Sequence, residues 1–436
     1  MPARIVVLGA GMTGLAAARA SGGVAYEAEG APGGICSSYY LAPGDARRRG
    51  AESRAPTYRF EIGGGHWLFG GDPATLALIE SLTPARRYAR RSSVYFPDEK
   101  LFVPYPLQYH LRHLGAEMAA RALAEMRAGG AGAVTMGEWL AQSFGATLTE
   151  RFFEPFHALY TGGLHARIAP QDGYKSPVDI EAVARGAVAD GSPAGYNVTF
   201  LYPIDGLDAL AGRLAASAHV EYGRRAVAID AARRVVTFAD GGRVAYDTLI
   251  STLPLNRALE LAGLDAGPPD PHTSVLVLNV GALRGPRCPA DHWIYVPRSR
   301  AGFHRIGFYS NVDPSFLPAA PRSAHPRASL YVERAYAGGG TPTPAEIDAY
   351  AAAVVRELQD WGFIGEVEVQ DPTWIDVAYT WSWPGSRWRE EALRRLTEVG
   401  VRQVGRYARW RFQGIADSLR DGLAEGQAAL EASAAR

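Results

Sequence analysis

Residues 4–34, RIVVLGAGMTGLAAARASGGVAYEAEGAPGG, constrain the fold of this chain more than any other stretch. The apolar, β-branched run 5–8 has the length of a strand buried on both faces and leads straight into Gly9-Ala10-Gly11-Met12-Thr13-Gly14. In that G-x-G-x-x-G pattern Gly9 permits a tight turn, Gly11 leaves bare backbone where a phosphate can approach, and Gly14 lets the next helix sit close to the sheet. A helix is expected over 13–20, with its unsatisfied N–H groups and dipole directed at the anion. The residues 24–26 form a second short strand ending at Glu27, spaced to accept hydrogen bonds from ribose hydroxyls. Pro32-Gly33-Gly34 then offers a second turn of bare backbone. Together these features predict a dinucleotide-binding β-α-β unit with Gly9, Gly11, Met12, Thr13, Gly14, Glu27, Gly33 and Gly34 at the ligand.

The chain has 436 residues, 47% of them hydrophobic, enough for two or three domains with a large core. Its formal net charge of zero argues against a nucleic-acid binder. Nearly all basic residues are arginine, which makes the two lysines, Lys100 and Lys175, conspicuous. Cys36 and Cys288 are too few for a disulfide framework or a zinc cluster, so no metal is expected and a reducing cytoplasm is the simplest setting. No apolar run reaches membrane-spanning length, and no membrane association is expected.

Beyond the first unit, residues 42–56 read as a surface loop and 57–62 as a strand. That strand runs into Gly63-Gly64-Gly65-His66. Three ordered glycines are entropically costly. They suit either backbone lying against a flat ring, with His66 beside it, or a flexible turn with a core-packed histidine. A helix is expected over 73–82, two strands around the turn Pro97-Asp98-Glu99, and then the rigid Val103-Pro104-Tyr105-Pro106-Leu107-Gln108. Apolar spacing from about 109 to 159 predicts a helical subdomain. Strands are expected at 196–203, 235–238, 244–246, 248–253, 274–280, 292–296, 305–309 and 329–333. Helices are expected at 207–217 and 345–361, with a last one starting near Ala416-Asp417-Ser418.

Several of these pieces carry a family likeness. The opening motif, Glu27, Pro32-Gly33-Gly34, the GGGH turn and a late Gly-Arg segment before the final helix resemble the flavoproteins that include amine oxidases and protoporphyrinogen oxidase. Within that class the chain is similar to the eukaryotic-type branch of UDP-galactopyranose mutase. Residues 103–108, VPYPLQ, resemble that branch's VPYPFQ element. Residues 197–203, NVTFLYP, resemble its NATFRFP strand, and Arg305 to Asn311 its arginine strand. Gly405-Arg406-Tyr407-Ala408-Arg409-Trp410-Arg411-Phe412 with Asp417-Ser418 resembles its GRFGxWxY and DHS ending. The resemblance implies an α/β fold: a Rossmann-like FAD-binding domain of the GR2 type built from 1–95, 191–265 and 371–436, a helical subdomain at 96–190, and an antiparallel-sheet substrate domain at 266–370.

It also implies a reaction. Reduced FAD attacks the anomeric carbon of a nucleotide sugar through N5, and the sugar is interconverted between pyranose and furanose forms without net redox change, with NADPH or NADH as the reductant. On this reading His66, Arg305 and Asn197 are catalytic, and Lys175 substitutes for a second family arginine that does not align. Gly64, Gly65, Ala226, Arg406, Asp417, Ser418 and Leu419 join the cofactor site. Tyr105, Gln108, His157, Asn197, Tyr295, Arg305, Tyr379 and Phe412 bind the nucleotide-sugar substrate. Phe412 and Val312 stand where the family has tyrosines, and Leu107 where it has a phenylalanine, so the sugar or base can differ. The rival is an amine oxidase or dehydrogenase, with Phe412, Trp381 and Trp383 forming an aromatic cage.

Overall fold

The computed structural model describes residues 4–49, 56–319 and 326–434. The opening prediction corresponds to the strand Ile5–Leu8, the helix Met12–Ser21 and the strand Val24–Tyr26. Ile5–Leu8 pairs in parallel with Val24–Tyr26 on one side and Thr248–Ser251 on the other. His219–Glu221 and Val401–Gln403 extend the sheet at its two edges, again in parallel. Five short strands from distant parts of the chain therefore make one sheet, with the glycine turn at the C-terminal end of its central strand.

Against this sheet the helix Met12–Ser21 packs on the last helix, Ile415–Ala434, almost backbone to backbone. A Cβ at Gly422 would lie 2.3 Å from the Thr13 carbonyl oxygen, and one at Gly426 equally close to that of Ala17. Small residues at one-turn spacing allow this approach, and it brings the two helix N-termini into the same region of the molecule.

The second large sheet is mixed and has seven strands. One side of it is the long antiparallel trio Ile364–Thr380, His272–Arg284 and Arg327–Ala337, with Ile364–Thr380 at the edge, continued through Arg305–Phe308, Trp293–Tyr295, Ser92–Phe96 and Leu101–Pro104. Alternate side chains of His272–Arg284 go to different cores: Val275 and Val277 pack with the core that includes Ile5, Val7 and Leu15, whereas Leu276, Leu278 and Val280 pack with a core under the helix Pro344–Asp360. The strand Ile364–Thr380 has no counterpart in the sequence reading. Its Glu, Gln and Asp residues mask the period-2 pattern, and pairing with a long neighbour supplies what propensity does not. The strands Ala85–Ala89 and Ala226–Asp230 and the helices Leu255–Leu261 and Trp388–Glu398 were also not foreseen.

The expected helical stretch is interrupted. It contains the 3-10 turns Leu107–Tyr109 and Leu111–Leu114, the helices Ala116–Ala128 and Met136–Leu148, a π-turn at Thr149–Phe153 and the helix Glu154–Tyr160. A capping box at Thr135 and Glu138 starts the second helix. Phe144, Phe152, Phe153 and Phe156 are buried there, as their spacing predicts. Of the loop expected at 42–56, residues 50–55 lie outside the described residues. The part before them is irregular except for a bridge between Tyr40 and Arg48.

Candidate active site

The glycine turn is shaped by close contacts on two sides and by space on the third. Gly9 has φ +94°, and a Cβ on it would meet the Thr252 hydroxyl at 2.5 Å. A Cβ on Gly14 would lie 1.9 Å from the Gly9 carbonyl oxygen, so helix and turn touch through backbone alone. At Gly11, by contrast, a Cβ would meet nothing within 4 Å. Gly11 is also the N-cap of the helix, without a side-chain cap, and the first turn carries no acid. The arrangement leaves free donors beside open space, as an anion-binding turn requires.

Gly33 and Gly34 pack beside this turn. The Gly33 N–H donates to the Ala10 carbonyl at 2.8 Å, and both glycines have positive φ. Glu27 ends the second strand as expected, but its carboxylate is engaged within the protein. One oxygen accepts the Ala10 N–H at 2.7 Å and the other the Glu29 N–H at 2.9 Å. Each oxygen keeps a further lone pair for a hydroxyl donor. Arg224 N–H donates to the Glu27 carbonyl at 2.7 Å, which sets Ala226, two residues on, near the same end of the sheet.

A large cavity opens between the seven-stranded sheet, the helical region and the segments leading into the final helix. Gly63, Gly65 and His66 form part of its wall together with Ile35, Arg406, Tyr407, Gly414 and Ile415. Gly64 is not on that wall. Its Cβ position lies 2.8 Å from Glu333 Oε1, and that of Gly65 lies 2.0 Å from the Tyr331 hydroxyl. The glycine triplet is thus needed partly because side chains of the strand Arg327–Ala337 press into it. Asp417, Ser418 and Leu419 occupy the first turn of the final helix but stay off the wall, which Gly414 and Ile415 reach instead. Asp417 pairs with Arg420 at 3.0 Å.

Tyr105, His157, Lys175, Asn197, Tyr295, Arg305, Tyr379 and Phe412 all line the same cavity. Gln108 does not. It is buried, and its amide donates to the Pro177 carbonyl at 2.8 Å, fastening the 3-10 turn to the segment before the helix Ile180–Gly186. Trp381 is on the wall, whereas Trp383 lies under the Arg167 guanidinium at 4.9 Å and donates to the Pro269 carbonyl. Leu107 and Val312 are core residues away from the cavity.

Three cations face this space, in three different states. Arg305 forms a bidentate pair with the buried Glu333, at 2.7 Å through Nε and 2.6 Å through Nη2. The two are cross-strand partners on adjacent antiparallel strands. Burial alone would raise the Glu333 carboxyl, but Arg305 and the His304 contact outweigh it and hold the group at about 2. Lys175 pairs with Asp172 at 2.7 Å and sits 3.5 Å over the Phe412 ring. Burial lowers its ammonium to about 8 against the opposing pull of Asp172. Arg406 makes no ion pair among the described residues. It donates to the Ala378 carbonyl at 2.9 Å and stacks over Phe412 and Tyr379.

Burial, reinforced by Arg406, lowers His66 to about 4, so its ring is neutral at physiological pH. Its Nδ1 lies 3.3 Å from the Gly64 carbonyl, which requires the proton on Nδ1 and leaves Nε2 as an acceptor. Burial also lowers His157 to about 4, and its Nδ1 is held by the Phe153 carbonyl at 2.6 Å.

Sequence reasoning missed Arg90. Its Nη1 donates to Asn197 Oδ1, and its Nη2 to the Tyr105 and Ala194 carbonyls at 2.9 and 3.0 Å. A buried arginine therefore ties the two family-like motifs, 103–108 and 197–203, into one wall. No local signal marks it, because every partner is distant in sequence. Glu333 and Asp172 were likewise not assigned roles.

The fold is of the mixed α/β kind found in flavin-dependent mutases and amine oxidases, with a five-stranded parallel sheet and a larger, mostly antiparallel sheet. A crystal structure of reduced UDP-galactopyranose mutase superposes on the chain with a TM-score of 0.85 at 21% identity, covering 99% of this chain and 96% of that one. Cyclohexylamine oxidase from Brevibacterium oxydans gives 0.60 at 13% identity, with 99% of both chains covered. A putrescine oxidase redesigned in its cofactor binding gives 0.54 at 16%, covering 100% of this chain and 99% of that one. These likenesses establish the shared fold. No protein-family model and no curated protein sequence matches the chain. Among the described residues no helix is long and apolar enough to cross a membrane.

Proposed function

We infer that the protein is an FAD-dependent mutase that interconverts pyranose and furanose forms of a nucleotide sugar. The observation that carries this reading is the convergence of Lys175, Arg305 and Arg406 on the cavity whose wall includes Gly63, Gly65 and His66. The superposition on a UDP-galactopyranose mutase over almost the full length of both chains supports it.

The residues present suit FAD. The open space at Gly11, the uncapped helix behind it and Glu27 would hold the adenosine and pyrophosphate half. Ala226 would contribute near the adenine, and Gly65, His66, Arg406 and the end of the final helix would surround the ring half. Once reduced, with NADPH or NADH as the proposed donor, FAD supplies a nucleophile and an electron store.

The chain's own share is charge and placement. A nucleoside diphosphate gains negative charge as it leaves the anomeric carbon, and planar guanidinium groups in a water-poor cavity stabilise such charge strongly. Arg406 offers that charge directly. Arg305 retains its Nη1 donors, since Glu333 takes Nε and Nη2. Lys175 supplies the third cation from the position beside Phe412, where the family tyrosine hydroxyl is missing. Asn197, fixed by Arg90, and neutral His66 provide hydrogen bonds at the ring and sugar. Tyr105, His157, Tyr295 and Tyr379 would position the rest of the substrate.

A second reading rests on a specific observation: Phe152, Phe156, Tyr160, Trp381 and Phe412 give the same cavity an extensive aromatic wall. Such a wall suits an amine oxidase or dehydrogenase. Purified protein incubated with UDP-galactose and related nucleotide sugars, with and without dithionite, separates the two. Furanose product under reducing conditions alone is expected. Oxygen uptake with an amine and no isomerisation would overturn the mutase reading.

A further inference from the structure

Away from the cavity wall, the segment before the helix Ala116–Ala128 meets the last residue of the helix Ile180–Gly186 and the segment after it. The contact is backbone to backbone. A Cβ at Gly186 would lie 2.1 Å from the Tyr109 carbonyl oxygen, and one at Gly191 would lie 2.2 Å from the same atom. This approach places Asp190 against His110 and His113, which stand three residues apart on the turn around Leu111–Leu114.

One ligand atom from each of these three residues lies within 4.8 Å of the other two. His113 Nε2 is 3.0 Å from Asp190 Oδ1. The other carboxylate oxygen is 3.5 Å from the Arg112 guanidinium, a contact that orients the group while leaving Oδ1 toward the histidines. His110 is 6% exposed, and its Nδ1 is buried with no hydrogen-bond partner among the described residues. An unspent ring nitrogen of a buried histidine is costly unless something uses it.

We propose that His110, His113 and Asp190 bind one divalent ion of the borderline class, zinc in the first instance. Two imidazoles and a carboxylate suit zinc, whereas magnesium and calcium prefer oxygen-only shells. Ligands around tetrahedral zinc stand about 3.3 Å apart. His113 Nε2 and Asp190 Oδ1 already stand at 3.0 Å, and both side chains are solvent-accessible and so free to turn toward an ion. Solvent supplies the fourth position. The ion ties the stretch after Tyr105 to the stretch before Tyr196 and Asn197, so its role is to fix two pieces of the cavity wall relative to each other. The site does not depend on the flavin reading. It departs from the expectation that the chain holds no metal, which rested on its cysteine count.

The full chain, stripped with a chelator and dialysed, is titrated with zinc sulfate, with magnesium chloride as the control. One zinc per chain at micromolar affinity or better is expected, together with a rise of about 2 °C or more in the melting midpoint. Cobalt(II) in its place should give visible absorption of a tetrahedral site. His113→Ala and Asp190→Asn, both at accessible positions, should melt like the chelated parent and bind zinc at least tenfold more weakly. Absence of stoichiometric zinc binding by the parent, or binding unchanged in the His113→Ala/Asp190→Asn double variant, overturns the proposal.

Discussion

The glycine turn at 9–14 and the cavity around Arg305 both present donors to an anion, yet they are built in opposite ways. The turn uses backbone N–H groups that belong to a single contiguous stretch. Its geometry follows from where a Cβ is impossible, at Gly9 and Gly14, and where one is merely absent, at Gly11. The cavity uses side chains from strands and loops hundreds of residues apart, and two of its three cations are already neutralised by Glu333 and Asp172. A backbone site is made once the local fold forms. A side-chain site must also hold its own charges in place before any ligand arrives.

The largest effect should come from breaking the buried pair. Arg305→Met leaves the Glu333 carboxylate almost enclosed without its partner, and should cost about 3–5 kcal/mol in denaturant unfolding. Adding Glu333→Leu should restore most of that stability but not the proposed mutase turnover. A double variant as unstable as the single one would show that the pair is not the main contribution.

Next comes the turn. Gly14→Ala forces a methyl against the Gly9 carbonyl and should destabilise the chain by about 3 kcal/mol, since no side-chain rotation relieves it. Gly11→Ala enters open space at an ordinary φ of −69° and should change stability by no more than about 0.5 kcal/mol. Bound flavin, read from visible absorbance, should nevertheless fall in Gly11→Ala. Retention of full flavin content by Gly11→Ala would remove the turn from the cofactor site.

On the cavity side, Lys175→Met should weaken binding of the proposed nucleotide-sugar substrate by about 1.5–3 kcal/mol, roughly tenfold to a hundredfold in KM. The parent kcat/KM should decline as pH rises through about 8, where Lys175 loses its charge, and Lys175→Arg should abolish that decline. The same group acts on stability in the other direction. Its folded value lies below the ordinary lysine value, so the unfolded chain binds more protons between about 8 and 10.5 and stability from this group rises with pH across that window.

The effect confined to acid conditions concerns His66. Its folded value of about 4 lies below the ordinary 6.5, so its stability contribution is complete above 6.5 and is lost as pH falls toward 4. His66→Gln should flatten part of the acid limb of an unfolding-versus-pH profile without moving the limb near 8.

The contrast between turn and cavity also describes what could be read in advance. The strand, turn, helix and acidic stop at 4–34 were legible because each depends on neighbours within a few residues. The helical aromatics at 144–156 were legible from their spacing. The strand Ile364–Thr380 was not, because its polar residues hide the alternation and only the partner strand His272–Arg284 makes it a strand. Most candidate site residues could be named by motif likeness, but their states could not. Nothing around Arg305 in sequence announces Glu333, and nothing around Gln108 announces that Pro177 takes its amide.

By itself, then, the sequence determined a strand, glycine turn, helix and second strand, together with the backbone contact of Gly14 on Gly9, because those depend on covalent geometry and local hydrogen bonding. Tertiary structure alone decided that Lys175, Arg305 and Arg406 share one cavity, that Glu333 and Asp172 counter two of them, and that Arg90 joins two separate motifs. The reason is physical: a buried charge has its energy set by whichever groups the folded chain brings within a few ångströms, and linear order does not specify those groups.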